Sequence, residues 1–278
     1  MLKSVLVSVV TVSYQADNTI EHTIQSVLNQ SFCDFEYIVK DGDSTDDTNQ
    51  IVEKYKEKFK QRGIILKHII NKDSGIYNAM NEAIQYCNGE WIMFLNADDC
   101  LYSDSVLSDI FCKNNIGDDI DIIYGDTDFQ DEDMHFLWQG DLSVVEDKCP
   151  YCHQSSFVRS HWMKKHPFDE AFKITADYDF IFKSYKKNAK FLYIPEVISS
   201  FKRGGASGKY LVKDRIEHRK VQLRYQNEKK SKTVSSKIRY LSTLCSACVQ
   251  EICLKILPKN VVPKIRHYRK KKRMRVLK

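Results

Sequence analysis

The 278-residue chain contains neither of the two glycine-rich motifs that commonly bind nucleotides. No two of its ten glycines are separated by two positions, which excludes the GxGxxG motif of dinucleotide-binding enzymes. The GxxxxGK[ST] motif of P-loop ATPases is also missing. If this protein binds a nucleotide, we expect acidic side chains to contact the base and ribose and a metal ion to contact the phosphates.

Long apolar runs are absent too, and so is the basic-then-apolar start of a secretory signal. We therefore expect a cytoplasmic protein without a membrane-spanning helix. The apolar fraction of 42% is ordinary for a globular protein with a sizeable core. A chain of this length can form one large α/β domain with an appendage.

Nine scattered cysteines, an odd number, favour reduced thiols over a disulfide framework. Cys149-Pro-Tyr-Cys152-His153 nevertheless fits a redox CxxC, a haem-attachment CxxCH, or half of a zinc site completed by Cys245-Ser-Ala-Cys248. The redox motif requires the start of a helix in a thioredoxin-like unit, haem attachment requires export, and compact zinc sites use closer pairs. Incidental thiols are therefore the favoured interpretation.

Strand-like and helix-like patterns alternate through the first 126 residues. The β-branched run from Val5 to Val12 predicts a strand buried on both faces. Asn18 can cap the helix that follows, whose apolar residues have helical spacing. Further strands are predicted at 35–39, 64–70, 91–95 and 120–124, and further helices after Ser44 or Thr45 and after Asp73-Ser74-Gly75. The alternation predicts an α/β fold with a mainly parallel sheet flanked by helices.

Acidic residues follow several of these strands: Asp41 and Asp43, Asp98 and Asp99, and Asp126. Ligands of open parallel sheets bind beyond the carboxyl ends of the strands. Carboxylates gathered there repel one another unless a divalent cation or a ligand rich in hydroxyl and N–H groups joins them. Turn formation and helix capping are the alternative, and for the segment 43–46 that alternative stays open.

Five segments resemble the inverting family-2 glycosyltransferases with the GT-A fold, in particular a subgroup that builds bacterial surface polysaccharides. They are VVTVSY (9–14), SVLNQS (26–31), DGDSTD (41–46), DSGIYNAMN (73–81) and GEWIMFLNADD (89–99). The resemblance covers about residues 4–205. It implies a GT-A-type sheet, a nucleotide-sugar donor, of which a UDP-sugar is the expected kind, and a Mn²⁺ or Mg²⁺ cofactor.

The resemblance also implies roles for individual residues. Asp41 would accept a hydrogen bond from the uracil or other base, with Asp43 beside it. Asn96-Ala97-Asp98 stands at the family's DxD position, which makes Asp98 the expected metal ligand. Ala176-Asp177 stands at the family's Glu-Asp step, so Asp177 is the expected catalytic base, with Asp179 as second candidate. The other predicted donor-binding residues are Thr11, Ser13, Tyr14, Asn96, Asp99 and Arg203.

Inverting transfer needs a base for the acceptor hydroxyl and a group that takes up charge on the leaving diphosphate. His153 and Gln154 follow the donor segments and match an "HQ" step of the subgroup, so they are candidates for contact with the acceptor or diphosphate. A structural role for His153 is the alternative. Arg203 lies in a Lys-Arg-Gly-Gly segment that could close over the diphosphate, and plain loop solvation is its alternative.

Beyond residue 126 the alternation weakens, with a hairpin arm predicted at 136–138, a helix at 177–186 and a strand at 191–194. Residues 229–278 carry a net charge of +15, which leaves −9 for residues 1–228. In this basic region, apolar residues recur at helical spacing: Ile238, Leu241, Leu244, Cys245, Cys248, Ile252, Ile256 and Leu257. We predict a glycosyltransferase domain at 1–205 and a basic helical extension at 206–278.

The extension suits the anionic inner face of the cell membrane, where lipid-linked sugar acceptors lie. Packing on the catalytic domain and contact with nucleic acid are the alternatives, and no nucleic-acid-binding motif accompanies the charge. A saccharide or polyprenyl-linked acceptor is thus expected. A sugar nucleotidyltransferase would need a glycine-rich, arginine-containing loop where Ser13-Tyr14-Gln15-Ala16-Asp17 stands. An inactive nucleotide-sugar binding module is the non-enzyme alternative, because Asn96 and Ala176 depart from the family pattern.

Overall fold

The computed structural model describes residues 5–131, 134–202, 210–225 and 234–256. The strands in these residues are β1 (Val7–Ser13), β2 (Phe35–Asp41), β3 (Ile65–Ile70), β4 (Trp91–Phe94), β5 (Cys100–Leu101), β6 (Ile122–Asp131), β7 (Met134–Trp138), β8 (Ser156–Arg159) and β9 (Phe191–Lys202). The helices are α1 (Ile20–Leu28), α2 (Thr48–Gln61), α3 (Ile76–Ile84), α4 (Val106–Phe111), α5 (Ser160–Lys165), α6 (Ala176–Lys186), α7 (Leu211–Tyr225) and α8 (Val234–Ile256).

The strands form one sheet in the order β3-β2-β1-β4-β8-β6-β9-β5, and β7 pairs with β6. β1 is parallel to β2 and to β4, and β2 is parallel to β3. All seven residues of β1 are buried, as the β-branched run predicts. Because side chains alternate along a strand, Val9 packs with α1, α2 and α4 on one face, whereas Val10 packs with α3 and α6 on the other. The predicted α/β fold with helices on both faces is confirmed.

One central strand was not predicted. β8 lies between β4 and β6 and is antiparallel to both. It has only four residues and follows a short 3₁₀ turn at His153–Ser155. The sequence pattern of alternating helices and strands therefore does not predict it. The insertion leaves the rest of the order mainly parallel, since β6 and β9 run in the same direction.

β6 and β9 are longer than predicted because each continues through a residue that usually ends a strand. Pro195 lies where the β6–β9 register shifts, a bulge position that tolerates the missing N–H. Gly125 lies opposite, and a Cβ atom there would come within 2.6 Å of Glu196 O. The predicted hairpin arm is confirmed as β7, which pairs with β6.

Two predicted caps are wrong. α1 begins after Thr19 rather than Asn18, and α2 begins at Thr48, after Asp47. Ser44 is instead turned toward β2, where its hydroxyl donates to Asp41 Oδ2 at 2.8 Å. The polar cluster at 41–46 therefore bonds both to the end of β2 and to the start of α2, where Asp46 Oδ1 accepts from the Thr48 N–H at 3.1 Å.

The basic extension is helical in its described residues. α7 contributes Val221, which is fully buried, to the core shared with α3 and α6, and α8 packs against α7. The predicted boundary between residues 205 and 206 falls in the stretch 203–209, outside the described residues. Within the segments that the structure describes, no helix combines the length and apolar character needed to cross a bilayer.

Candidate active site

Ser13 and Asp41, two residues predicted to bind the nucleotide-sugar, lie together at the carboxyl ends of β1 and β2. Ser13 Oγ donates to Asp41 Oδ2 at 2.7 Å. Asp41 is fully buried and accepts further hydrogen bonds from the Ser44 N–H at 2.6 Å, the Ser44 hydroxyl and Asn49 Nδ2 at 3.3 Å. A carboxylate has about four acceptor positions, so a nucleotide base would have to share or displace one of these donors.

Tyr14 and Asp43 are the solvent-facing residues at the same edge. Tyr14 is 65% exposed, and Asp43 is exposed with a left-handed backbone (φ 68°) that aspartate tolerates better than most residues. Between them, a Cβ on Gly42 would lie 2.8 Å from Asp73 Oδ2 and 3.2 Å from the Tyr14 ring. The loops after β1, β2 and β3 thus meet around Gly42, where a flat ligand could lie against Tyr14.

Lys40 is a structural element of this edge that sequence reasoning missed. Its side chain is fully buried at the end of β2, and Nζ donates to Asn71 O at 2.8 Å and to Asp73 Oδ2 at 3.0 Å. The ion pair joins the end of β2 to the loop after β3, close to Gly42. A lysine inside a strand that is otherwise buried was the available signal, because such a charge requires partners.

Thr11, a predicted ligand of the nucleotide-sugar, lies inside the protein and not at its surface. It is fully buried, and its hydroxyl donates to Leu95 O at 2.8 Å and lies 2.8 Å from Tyr37 Oη. These contacts join β1, β2 and the end of β4. The geometry therefore favours a supporting role beneath the turn that follows β4.

That turn, Asn96-Ala97-Asp98-Asp99, is closed by a hydrogen bond from the Asp99 N–H to Asn96 O at 3.1 Å. Thr23 of α1 donates to Asp99 O at 2.7 Å. Asp99 is 1% exposed, and its Oδ2 accepts a short hydrogen bond from Gln154 Nε2. Asp98 is half-buried beside them. The side chain of Asp99 is therefore hydrogen-bonded inside the protein, whereas Asp98 lies nearer the surface.

The side-chain oxygen atoms of this turn are ligands that suit a hard divalent cation. Asn96 Oδ1 is buried without a hydrogen-bond partner, and an oxygen in that position needs a ligand or water. Among the described residues, no group of three His, Cys, Asp or Glu side chains could hold a metal by itself. Mg²⁺ and related cations commonly bind through one or two protein oxygens and substrate phosphates. Asp98 and Asn96 could supply the protein part of such a site.

Asp177 lies at the start of α6, within a second polar cluster. Its Oδ2 lies 3.2 Å from His153 Nδ1, and its Oδ1 accepts from the Tyr178 N–H at 2.8 Å. Tyr77 Oη lies 3.2 Å from Oδ1 and 2.8 Å from Ile174 O, so its single proton serves one of them at a time. Burial alone would raise the pKa of Asp177, but the hydrogen bond and charge of His153 and the Tyr178 N–H lower it below its ordinary value. An ionised carboxylate is therefore maintained here.

Two consecutive residues connect the clusters. His153 contacts Asp177, and Gln154, the next residue, donates to Asp99. Their 3₁₀ turn is held by Ser155, whose hydroxyl lies 2.7 Å from Thr127 Oγ1 and 2.7 Å from Ser199 Oγ. The pair of residues singled out in the sequence as "HQ" thus links the turn after β4 to the start of α6. His153 Nε2 is buried without a partner.

The structure does not bring Asp179, the second base candidate, to this cluster. Asp179 is fully buried on another side of α6, where its Oδ1 accepts from Arg224 Nη1 at 2.9 Å and Tyr225 Oη at 3.0 Å. Residues two apart on a helix point in very different directions, which explains the separation. In this structure Asp179 bonds to α7 instead of joining the cluster around Asp177.

Replacing Arg224 with methionine is expected to reduce the free energy of unfolding by about 3 kcal/mol at neutral pH, because the buried carboxylate of Asp179 would lose its ion-pair partner. The partial exposure of Arg224 (41%) places the effect at the lower end of the range for broken buried pairs. Burial already raises the pKa of Asp179. A carboxyl with a raised pKa takes up a proton as the pH falls, so the loss measured by urea unfolding should be smaller at mildly acidic pH than at neutral pH.

Lys220→Met provides the matched control, since Lys220 is exposed on the same helix. That variant should unfold like the wild type at both pH values. An Arg224→Met variant whose deficit is unchanged at the lower pH would contradict the assigned pairing.

The CxxC segment shows no feature of a redox site. Cys149 and Cys152 are free thiols, as are Cys33, Cys87, Cys100, Cys112, Cys245 and Cys248. Burial raises the pKa of both thiols, which disfavours the reactive thiolate. Arg203, the predicted diphosphate ligand, lies outside the described residues, and its role stays a prediction.

Comparison with known proteins decides the family. The model of Glycosyl transferase family 2 matches residues 8–189. The chain belongs to this family. A "PGL/p-HBAD biosynthesis glycosyltransferase" of Mycobacterium bovis is 30% identical over 193 residues, which cover 68% of this chain and 73% of the relative. The "UDP-Glc:alpha-D-GlcNAc-diphosphoundecaprenol beta-1,3-glucosyltransferase WfgD" of Escherichia coli is 34% identical over 114 residues, 40% of this chain and 43% of that one.

Solved structures place the family-2 chain in the GT-A fold. S. aureus TarS 1-349 in complex with UDP superposes with a TM-score of 0.62 at 19% identity, over 87% of this chain and 70% of that one. The mannosyltransferase PcManGT from Pyrobaculum calidifontis, in complex with GDP-Man and Mn²⁺, superposes with a TM-score of 0.65 at 14% identity, over 94% and 78%. The predicted GT-A-type sheet flanked by helices is confirmed.

Proposed function

We propose that this family-2 glycosyltransferase transfers a sugar from a UDP-sugar, with inversion, to a saccharide or polyprenyl-linked acceptor in bacterial polysaccharide biosynthesis. The observation that carries the proposal is the link made by His153 and Gln154 between Asp177 and the Asp98-Asp99 turn. A base and a diphosphate-binding turn must be held at a fixed separation for a single displacement. Adjacent residues on one short turn provide that connection.

In this proposal Asp177 accepts the proton of the acceptor hydroxyl as that oxygen attacks the anomeric carbon and the bond to the diphosphate breaks. His153, hydrogen-bonded to Asp177 Oδ2, orients the carboxylate and keeps it ionised. Asp98 and Asn96 would hold Mn²⁺ or Mg²⁺, which supplies positive charge for the leaving diphosphate. Tyr14, Asp43 and the region around Gly42 would contact the nucleoside.

The relatives support the choice of substrates. TarS binds UDP and UDP-GlcNAc in the solved structures, and WfgD is named for a UDP-glucose donor and a diphosphoundecaprenol-linked acceptor. A Bacillus subtilis relative, 40% identical over 94 residues that cover 34% of this chain and 36% of that one, is named for teichuronic acid biosynthesis. These names favour a UDP donor and polysaccharide biosynthesis, whereas the complex of PcManGT with GDP-Man is the reason to test GDP-sugars as well.

The test is a panel of UDP-, GDP- and dTDP-sugars, assayed for binding, hydrolysis and transfer with and without Mn²⁺. A synthetic lipid diphosphate bearing GlcNAc serves as the acceptor probe. Metal-dependent turnover of a UDP-sugar supports the proposal. Absence of binding and hydrolysis across the panel would overturn it.

An inactive nucleotide-sugar binding module is the second candidate. Two features favour it, because each leaves fewer contacts for the nucleotide-sugar. Asn96 stands at the DxD position, and the carboxylate of Asp41 already accepts four hydrogen bonds within the protein. Binding of UDP-sugars without any hydrolysis or transfer, on all acceptor probes, would select this candidate over the enzyme.

We further propose that the protein works at the anionic inner face of the cell membrane through α8. The face of α8 that contains the buried Ala247 packs against α7. A different face carries an exposed apolar stripe with members three or four residues apart: Ile238, Leu241, Cys245, Val249 and Ile252. Residues 257–278 add ten basic residues and no acidic one. An apolar helix face that is followed in the sequence by many cations suits anionic lipid better than a protein partner.

Replacing Leu241 and Ile252 together with glutamate is expected to weaken binding to phosphatidylglycerol-containing vesicles at least ~10-fold in flotation assays. Each side chain would forgo about 1.5–3 kcal/mol of burial if fully covered, and 1.4 kcal/mol corresponds to tenfold. The control is glutamate at Ser242 and Ser246, two exposed positions of the same helix. Equal binding of both double variants, or loss of self-association instead of vesicle binding, would contradict the membrane proposal.

A further inference from the structure

α7 lies beyond residue 189, where the family-2 match ends, yet it contacts the segment that leads into Asp177. The contact is made by Glu217, which is only 5% exposed. A buried carboxylate requires several donors, and those of Glu217 all belong to three consecutive residues of one loop.

The hydrogen bonds of Glu217 are directed at backbone N–H groups. Oε2 accepts from Ile174 N at 2.8 Å and Thr175 N at 3.2 Å, and Oε1 accepts from Lys173 N at 3.3 Å. The Thr175 hydroxyl also lies 3.4 Å from Oε2. These groups directly precede α6, which begins at Ala176.

Glu217 binds the segment that leads into α6, and the last of its donors, the Thr175 N–H, lies at the position just before the helix. Thr175 precedes α6 but makes no side-chain cap hydrogen bond. The first N–H groups of a helix have no partner within the helix, and a carboxylate near them is favoured by the helix dipole. The position of the first turn of α6, and of Asp177 within it, is thus fixed by a residue of α7.

Two further contacts hold the residues on either side of Asp177. Ile174, whose N–H is bonded to Glu217, also presents its carbonyl to Tyr77 Oη at 2.8 Å. His218, the residue after Glu217, stacks on Tyr178, the residue after Asp177, with ring centroids 4.8 Å apart. α7 thus contacts the residues before and after the proposed base.

We propose that Glu217 is a positioning residue for sugar transfer, which holds Lys173–Thr175 so that Asp177 reaches the acceptor hydroxyl. The inference rests on the proposed function, because it assigns Asp177 the role of base. Misplacement of a catalytic group by about 1 Å can cost on the order of 10²-fold in rate. Loss of Glu217 should therefore lower kcat more than it weakens donor binding.

The test compares Glu217→Ala with Val221→Ala in transfer from a UDP-sugar to the lipid-diphosphate GlcNAc probe. Val221 lies one turn further along α7 and is fully buried, so its truncation loosens the same interface without touching the loop N–H groups. We expect Glu217→Ala to lower kcat about 30–100-fold with donor KM within about twofold, and Val221→Ala to lower kcat less than about threefold. Hydrogen exchange at 173–175 should accelerate only in Glu217→Ala.

A double-mutant cycle with Asp177→Asn separates positioning from general loss of structure. If Glu217 acts through Asp177, adding Glu217→Ala to Asp177→Asn should lower the residual rate by less than about twofold. Glu217→Gln keeps one acceptor oxygen and should give an intermediate kcat. It replaces the alanine variant in the cycle if that variant does not fold.

Three results would overturn the inference: wild-type kcat in Glu217→Ala, an equal loss in Val221→Ala, or a full additional loss on top of Asp177→Asn. A wild-type protein that transfers no sugar would reject the proposed function, and the inference with it. A wild-type protein that transfers sugar while Glu217→Ala matches it rejects the inference alone.

Discussion

Replacing Asp177 with asparagine should lower kcat for sugar transfer about 10²–10⁴-fold, the usual contribution of a general base. Asparagine keeps the size of the side chain and can still accept the Tyr178 N–H bond, but it cannot take the acceptor proton. Donor affinity should change little, because Asp177 lies in a cluster separate from the turn that follows β4. Steady-state kinetics with the lipid-diphosphate GlcNAc probe, together with calorimetric titration of UDP, measures both quantities.

The pH dependence follows from the same contacts. Since the pKa of Asp177 is lowered, its carboxylate should remain ionised through neutral and mildly acidic pH, and activity should fall only as the pH drops through that lowered value. Asp179→Asn is the matched control two residues along α6, and its kcat should stay near that of the wild type. Near-normal transfer by Asp177→Asn, or equal losses in both variants, would show that the base lies elsewhere.

The sequence patterns that predicted the fold correctly were local. The β-branched run of β1 and the helical spacing after it depend on which residues face the core, and burial in the structure follows that pattern. Strand-end acids likewise follow from the rule that parallel strands end at a common edge. The candidate pair His153 and Gln154 was identified by resemblance, and its link between two clusters appeared only in three dimensions.

The missed features depend on contacts between distant parts of the chain. β8 has four residues, and its central place results from pairing with β4 and β6, which no local pattern encodes. Lys40 and Glu217 are charged residues whose partners lie 33 and about 43 positions away. Asp179 resembled a base by its position in sequence, whereas helix geometry directs it toward Arg224. The residues that support the site were therefore harder to predict than the site itself, because their partners are far away in the sequence.

The second large effect is expected at the turn after β4. Replacing Asp98 with asparagine should lower kcat/KM about 10²–10³-fold, because a neutral oxygen holds a divalent cation more weakly than a carboxylate and the leaving diphosphate loses that charge. Chelation of the wild type with EDTA should produce a loss of similar size, and the variant should lose little more. Calorimetric titration of UDP should show Mn²⁺-dependent affinity in the wild type and little Mn²⁺ dependence in Asp98→Asn.

Asn96→Asp is the informative companion variant, since it restores the family's DxD pattern. The buried, partnerless Asn96 Oδ1 marks an oxygen position beside Asp98, and a carboxylate there should bind Mn²⁺ at least as strongly as the amide. If Asn96→Asp strengthens Mn²⁺-dependent UDP binding while Asp98→Asn abolishes it, both residues contact the same cation. Equal, metal-independent UDP binding by all three proteins would remove the metal from this turn, and the charge on the leaving group would then need another partner.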